Sequence, residues 1–249
     1  MAAVVSKWER LIAVGCSHGH LGNASVQKEV LDLCERWKPK HRIHLGDFLD
    51  LAAFRSGARG TNDEAANVSY DLKDGFQFLS DLRPTMVFMG NHEDRLFSFQ
   101  QSPNALKSHV AGAVLKDLDD LRKKVGFRLV EKYGVRESEA WVDIGNARFM
   151  HGFMYSENAT RDHAEAFAPV GGSVVHAHTH RPDMSRGRRY DSPTGYCVGT
   201  LSDIPAMGYA KTRRATLAWG HAAVIGETNH KETRLWLING NQGPLRFPV

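Results

Sequence analysis

Five short runs of this 249-residue sequence gather imidazoles, carboxylates and a thiol: GCSHGH (15–20), GDFLD (46–50), GNHED (90–94), MHG (150–152) and HAHTH (176–180). Side chains of these types can hold metal ions. Cys16 with His18, and His178 with His180, stand two residues apart. On an extended chain such residues point to one side, so each pair can share an ion. Oxygen donors from Asp47 and Asn91, mixed with imidazoles, suit Mn, Zn, Fe or Ni better than Ca or a bare Mg site. A carboxylate between two imidazole-rich halves is what a bridged pair of divalent transition-metal ions needs. Such ions sit about 3.5–4 Å apart and can grip one phosphoryl group together. Any one of these runs arises by chance; five in order do not.

The elements that must position them follow from the hydrophobic pattern. LIAVG (11–15), HRIHLGD (41–47) and TMVFMGN (85–91) read as strands, separated by helical patterns over 24–37 and 62–82. This βαβαβ order implies parallel strands with crossover helices. The donor-bearing runs then fall at the carboxyl ends of strands, where open α/β sheets hold their ligands. Residues 104–125 are helical and highly charged, and are expected to form an insertion or cap at about 100–127. The later half reads as strands over 140–145, 147–152, 173–178, 195–200, 215–227 and 233–240, with Gly145-Asn146 as a hairpin turn. Two packed sheets within a single domain spanning 1–249 are expected.

With those runs in place, the sequence resembles the calcineurin-like metallophosphoesterase family, whose motifs run D-x-H, G-D-x-x-D, G-N-H-[ED], H and G-H-x-H. Here they stand as Cys16-Ser17-His18, Gly46 to Asp50, Gly90 to Glu93, His151-Gly152 and Ala177 to His180. The resemblance implies an α/β fold, a four-layer α/β/β/α sandwich of two mixed sheets, with metals at the strand ends. It puts His18, Asp47, His180 and Cys16 on a first ion. Asp47 then bridges to a second ion completed by Asn91, His151 and His178. His92 becomes the acid that protonates the leaving oxygen, oriented by Asp50, while a hydroxide shared by the two ions attacks phosphorus. Two positions depart from the pattern: Ala177 replaces a glycine, and Cys16 replaces the aspartate of the first motif. A register using His18-Gly19-His20 is the alternative, and otherwise His20 supports the rim. Cys16 is a thiolate ligand favouring Zn or Fe, a bystander to a weakly held ion, or the mark of a metal-poor binding module.

Composition narrows the rest. Apolar residues make up 42% and charged residues 24%, ordinary for a globular chain. Lys7, Glu9 and Arg10 interrupt any signal-like core, and no apolar stretch nears the roughly 18 residues that span a bilayer, so a cytoplasmic protein without a membrane partner is expected. Three scattered cysteines argue against a disulfide framework, and Cys34 and Cys197 read as core. His176 is expected to support His178 or to pack, and His44 and His163 to be surface or core residues. The substrate is expected to be a phosphoester. GNHEDRL (90–96) and the closing strands over 215–227 and 233–240 are similar to phosphoesterases encoded by phages and bacteria, which implies a nucleotide or nucleic acid; the basic runs at 186–189 and 211–214, each alone a solvated loop, could line such a groove. The arginine that follows the second motif in protein phosphatases is replaced by Leu51-Ala52. Arg95 is the substitute phosphate clamp, or else pairs with Glu93 or Asp94. A phosphatase or phosphodiesterase, a nuclease, and an inactive binding module are the readings left open.

Overall fold

The computed structural model describes residues 7–134, 139–208 and 214–248. Strand β1 (Glu9–Val14) is buried on both faces: Leu11 and Ala13 point to one side, Ile12 and Val14 to the other. Such two-sided burial suits a central strand with layers above and below. Helix α1 (Ala24–Trp37) starts where the Asn23 side chain accepts from the Val26 N–H and lays Val26, Val30, Leu33 and Cys34 against the sheet. Strand β2 (His41–His44), helix α2 (Val68–Leu82) and strand β3 (Met86–Phe88) follow. Helices α3 (Asn91–Gln100) and α4 (Ala105–Val125) then lead to β4 (Arg128–Val130), which lies parallel to β3.

The charged segment expected as an insertion or cap is thus the crossover between β3 and β4. Ala111, Val114 and Leu118 of α4 pack with Val87, Leu79 and Leu96, while its charges face solvent.

In the second half, β5 (Trp141–Ile144) and β6 (Ala147–Met150) form the expected hairpin, with Gly145 at φ +58° in the turn. Helix α5 (Ala159–Phe167), β7 (Ser173–His176), β8 (Pro182–Arg186), β9 (Thr194–Val198), β10 (His221–Thr228) and β11 (Thr233–Asn241) complete the order. The first sheet runs β11-β10-β1-β2-β3-β4, and the second runs β5-β6-β7-β9-β8. Both are mixed: β1 to β4 run parallel with antiparallel β10 and β11 on one side, and in the second sheet parallel β6, β7 and β9 are flanked by antiparallel β5 and β8.

The sheets meet through Leu11, Ala13, Ile43 and Phe88 on one side and Phe149, Val175 and Val198 on the other. Helices α1 to α4 cover the outer face of the first sheet, and α5 covers the second through Ala164 and Ala168. This is the four-layer α/β/β/α sandwich. The expected strand over 215–227 begins only at His221, because residues 214–218 form a 3-10 turn. No helix among the described residues is long and apolar enough to cross a membrane.

Candidate metal centre

Beyond the ends of β1 and β2 the two chains keep hydrogen bonding. Cys16 N–H donates to Gly46 O (2.9 Å), His18 N–H to Asp47 O (3.0 Å) and Gly19 N–H to Phe48 O (2.9 Å). They do so with left-handed backbone, not the extended chain that the spacing of Cys16 and His18 implied. Positive φ is found at Cys16 (53°), His18 (52°), Asp47 (54°) and Leu51 (49°), and in the second sheet at His178 (66°) and His180 (59°). Each non-glycine residue in that region carries roughly 1–2 kcal/mol of strain. Strain of this kind persists only where surrounding bonds over-determine the backbone.

Two buried carboxylates supply those bonds. Glu93 accepts from the N–H groups of Asp47 (2.9 Å), Leu49 (2.8 Å) and Gly90 (2.8 Å). Asp71 accepts from Asp50 (3.0 Å) and Leu51 (2.7 Å). The loop carrying Asp47 and Asp50 is therefore held at alternate ends by side chains from α3 and α2. Gly90 leaves no room for a side chain there: a Cβ would lie 2.1 Å from Asp47 Oδ1. The Ala177 methyl is accommodated because it faces Gly15, where a Cβ would come within 2.9 Å of it.

The first donor set is Cys16, His18, Asp47 and His180, whose ligand atoms lie within 4.8 Å of one another. His18 Nδ1–H donates to Asp50 Oδ1 (3.0 Å), which leaves the Nε2 lone pair facing His180 Nε2 at 3.0 Å. His180 Nδ1 is buried with no hydrogen-bond partner, and the ring stands edge-on to Trp219 at 4.4 Å. Burial opposes charge on His18, but the hydrogen bond and charge of Asp50 outweigh it and raise its pKa. Burial, and then the Asp47 charge, push the Cys16 thiol well above its ordinary range. A divalent ion is the kind of charge that reverses this, because a coordinating thiol loses its proton.

The second set is Asp47, His151 and His178, with Asn91 beside them. His151 Nδ1–H donates to Leu45 O (2.7 Å), so its Nε2 lone pair points at Asn91 Oδ1 (3.2 Å) and Asp47 Oδ2 (3.3 Å). His178 Nδ1 lies 2.8 Å from the same Asn91 oxygen. Burial works against the Asp47 charge, but the nearby His151 and His92 hold its carboxyl well below the usual range. In both sets an imidazole gives its outer N–H to a carbonyl or carboxylate and turns the other nitrogen inward, the arrangement that orients histidine ligands. Acceptor atoms facing one another in this way fit a cation between them. Asp47 belongs to both sets.

His92 adjoins both. Its Nδ1–H donates to the backbone carbonyl of Asp50, while the Asp50 carboxylate, expected as its orienting partner, lies 3.6 Å away and serves His18 instead. Its Nε2 is 3.9 Å from Asp47 Oδ2. Burial, with help from the His18 charge, lowers the His92 pKa to about 4. Arg95 does not pair with Glu93, which is fully buried. Its Nη1 donates to the carbonyls of Asp50 (3.2 Å) and Leu51 (3.3 Å).

A cavity of about 370 Å³ opens over Asp47, Asn91, His92, His178 and His180. A second, of about 710 Å³, continues past His92 to Arg95 and Arg55. A third, of about 660 Å³, continues past Arg181 toward Glu157 and Asp183.

The remaining histidines and basic runs have plainer places. His176 stacks on His163 at 4.3 Å and hydrogen bonds Thr160. His44 accepts from Gly46 N–H and donates to Ser17 Oγ, bracing the turn before Asp47. His20 meets Asp71 at 3.4 Å on the rim. Arg189 is engaged by Asp191 and two carbonyls, and Arg122 by Asp119 on the surface of α4. The run at 211–214 lies outside the described residues, apart from the backbone of its last member. Sequence reasoning missed Glu93 and Asp71 as supports, and missed Trp219 and Tyr133, whose rings stand edge-on to His180 and His151.

No family model matches the chain, and no curated protein matches its sequence. Among solved structures it is similar to Yfce, a phosphoesterase from E. coli, with 15% identity, 87% of this chain and 91% of that one covered, and a TM-score of 0.44. It is also similar to a 5'-nucleotidase precursor from Thermus thermophilus (11% identity, 96% of this chain and 56% of that one, TM-score 0.40). A third is Vacuolar Protein Sorting 29 from Cryptosporidium parvum (10% identity, 94% and 98%, TM-score 0.42).

Proposed function

We propose that the chain is a metal-dependent phosphoester hydrolase of the calcineurin-like metallophosphoesterase type, with two divalent transition-metal ions sharing Asp47. The observation that carries this reading is the membership of Asp47 in two donor sets, each completed by imidazoles with inward lone pairs. Cys16, His18 and His180 would hold one ion, and Asn91, His151 and His178 the other. Bound there, such ions activate water and polarise the phosphoryl group.

The chain's own residues do the rest. His92 commits Nδ1–H to the Asp50 carbonyl, so Nε2 is the atom that meets substrate. A phosphoryl charge beside Nε2 raises the proton affinity of the ring, which then supplies the proton that the leaving oxygen needs. Arg95, anchored through two carbonyls at the wall of the adjoining cavity, offers its remaining N–H groups to phosphate oxygens.

The flanking cavities favour a phosphodiester over a monoester. They share His92 and Arg181 with the central one, which leaves room for a substituent on each side of the phosphorus. Nucleotides and nucleic acids belong to that class. The test is metal content together with turnover. Protein reconstituted with Mn should hold two ions per chain and hydrolyse an aryl phosphodiester faster than the matching monoester. A consistent absence of bound metal after reconstitution overturns the reading, and faster monoester turnover overturns the diester assignment alone.

A further inference from the structure

At the opposite end of the first sheet, Glu9, His41 and His230 bring three ligand atoms within 4.8 Å of one another. Glu9 opens β1, His41 opens β2, and His230 lies in the turn between β10 and β11. Both imidazoles aim Nε2 at the same carboxylate oxygen, Glu9 Oε2, each at 3.0 Å. The other oxygen of Glu9 is taken by Lys40. The rings are 6.1 Å apart at an interplanar angle of 78°, so they approach the oxygen from different directions. His230 is 61% exposed, which leaves the fourth direction open to water.

We propose that Glu9, His41 and His230 form a further divalent-metal site, selective for zinc-like ions and separate from the centre at Asp47. Two imidazoles and one carboxylate with an open position are a donor set suited to zinc, nickel or copper. Ligand bonds of about 2.0–2.2 Å in a tetrahedral site put neighbouring donors roughly 3.3–3.6 Å apart, a few tenths of an ångström beyond the two Nε2 to Oε2 separations of 3.0 Å. An ion enters once each ring carries its proton on Nδ1 instead of Nε2, which leaves both imidazoles neutral with Nε2 as donor. Lys40 donates to the other Glu9 oxygen, which leaves Oε2 to the two imidazoles. Glu9 lies seven positions before Cys16, which along an extended strand is about 20 Å, so neither site needs the other.

Such an ion would lace the start of β1 and β2 to the β10–β11 turn and so hold the edge strand β11. Binding only the folded chain, it would stabilise that chain by mass action.

The experiment uses the full chain with the Asp47 centre disabled by Asp47→Asn and His178→Ala, titrated with zinc by calorimetry and followed by thermal unfolding. One zinc per chain and a zinc-dependent rise in the unfolding midpoint are expected. Both should vanish with His230→Ala, an exposed turn position whose loss leaves the fold intact, and Glu9→Gln should weaken zinc at least tenfold. Unchanged zinc binding after His230→Ala, or no zinc bound by the disabled chain, overturns the proposal. Phosphoester turnover of His230→Ala in the otherwise natural chain is read separately, so failure of this site and failure of the hydrolase reading are told apart.

Discussion

The two donor sets that share Asp47 differ in softness and in access. Cys16, His18 and His180 are almost wholly inaccessible, as is His151 of the other set, whereas Asn91 and His178 are half-buried; His180, Asn91 and His178 all line the cavity. The inner half carries a thiol whose proton burial holds in place. The outer half carries an amide oxygen and nothing that must ionise. On the proposed reading, one half would bind its ion by giving up a proton, and the other would offer its ion to substrate through Asn91 and His178. The largest effect follows from breaking what they share. Asp47→Asn should empty both halves and lower kcat/KM by at least about 10³-fold, checked by metal analysis and diester turnover. Retention of one tightly bound ion at the centre would show that the halves are independent.

Next in size is the support beneath Asp47. In metal-free protein Glu93 has its pKa raised to about 7 from 4.5, by burial first and then by the Asp47 charge. The folded chain therefore binds this proton more tightly than the unfolded one. The stability it contributes is full below about pH 4.5 and is lost as pH rises through 7. The loss amounts to about 3 kcal/mol at most. Denaturant unfolding of the metal-free chain at pH 5 and pH 8 should show this decline, and Glu93→Gln should flatten it. A slope unchanged by Glu93→Gln would place the titration elsewhere.

Why that support was hard to read is instructive. The candidate donors sit in short runs at strand ends, and runs of this kind are local, so the convergence of Asp47, His151 and their neighbours was legible. The clamp was not local. Glu93 does carry a signal, an acid three residues after a helix cap, and its side chain returns to Gly90 N–H as that spacing suggests. Read as the end of a strand, GNHED hid the start of α3. Asp71 shares a helical stripe with Gly75 and Leu79, so its one visible mark was a charge on an apolar face. The left-handed turns had no signal, because non-glycine residues enter that region only when tertiary bonds compel them. The layered fold was legible from alternating strands and helices, but β8 (PDMSR) carries polar residues around one methionine, and β4 (RLV) follows directly on the charged α4, so neither showed a strand pattern.

A smaller change separates the halves. Asp50 fixes the tautomer of His18 in the inner set and touches none of the outer donors through its carboxylate. Asp50→Ala should weaken the inner ion by roughly 10–100-fold, the range typical of lost ligand support, while the outer ion keeps its affinity. Stepwise calorimetric titration reads the two events apart. Equal weakening of both would mean that Asp50 acts on the shared Asp47 loop instead.

The finest test concerns the thiol itself. If Cys16 ligates, ion binding must displace a proton held well above the ordinary thiol range. Below that pKa the inner affinity then rises about tenfold per pH unit from this proton alone, because one proton leaves per ion bound. Cys16→Asp replaces the thiol with a carboxylate that is already ionised, so the slope should fall by one unit and the preference should move from zinc toward manganese. The proton count, obtained by repeating the calorimetry in buffers of different ionisation enthalpy, is independent of catalysis. An identical count for both chains would make Cys16 a bystander and leave His18, Asp47 and His180 to hold the inner ion without it.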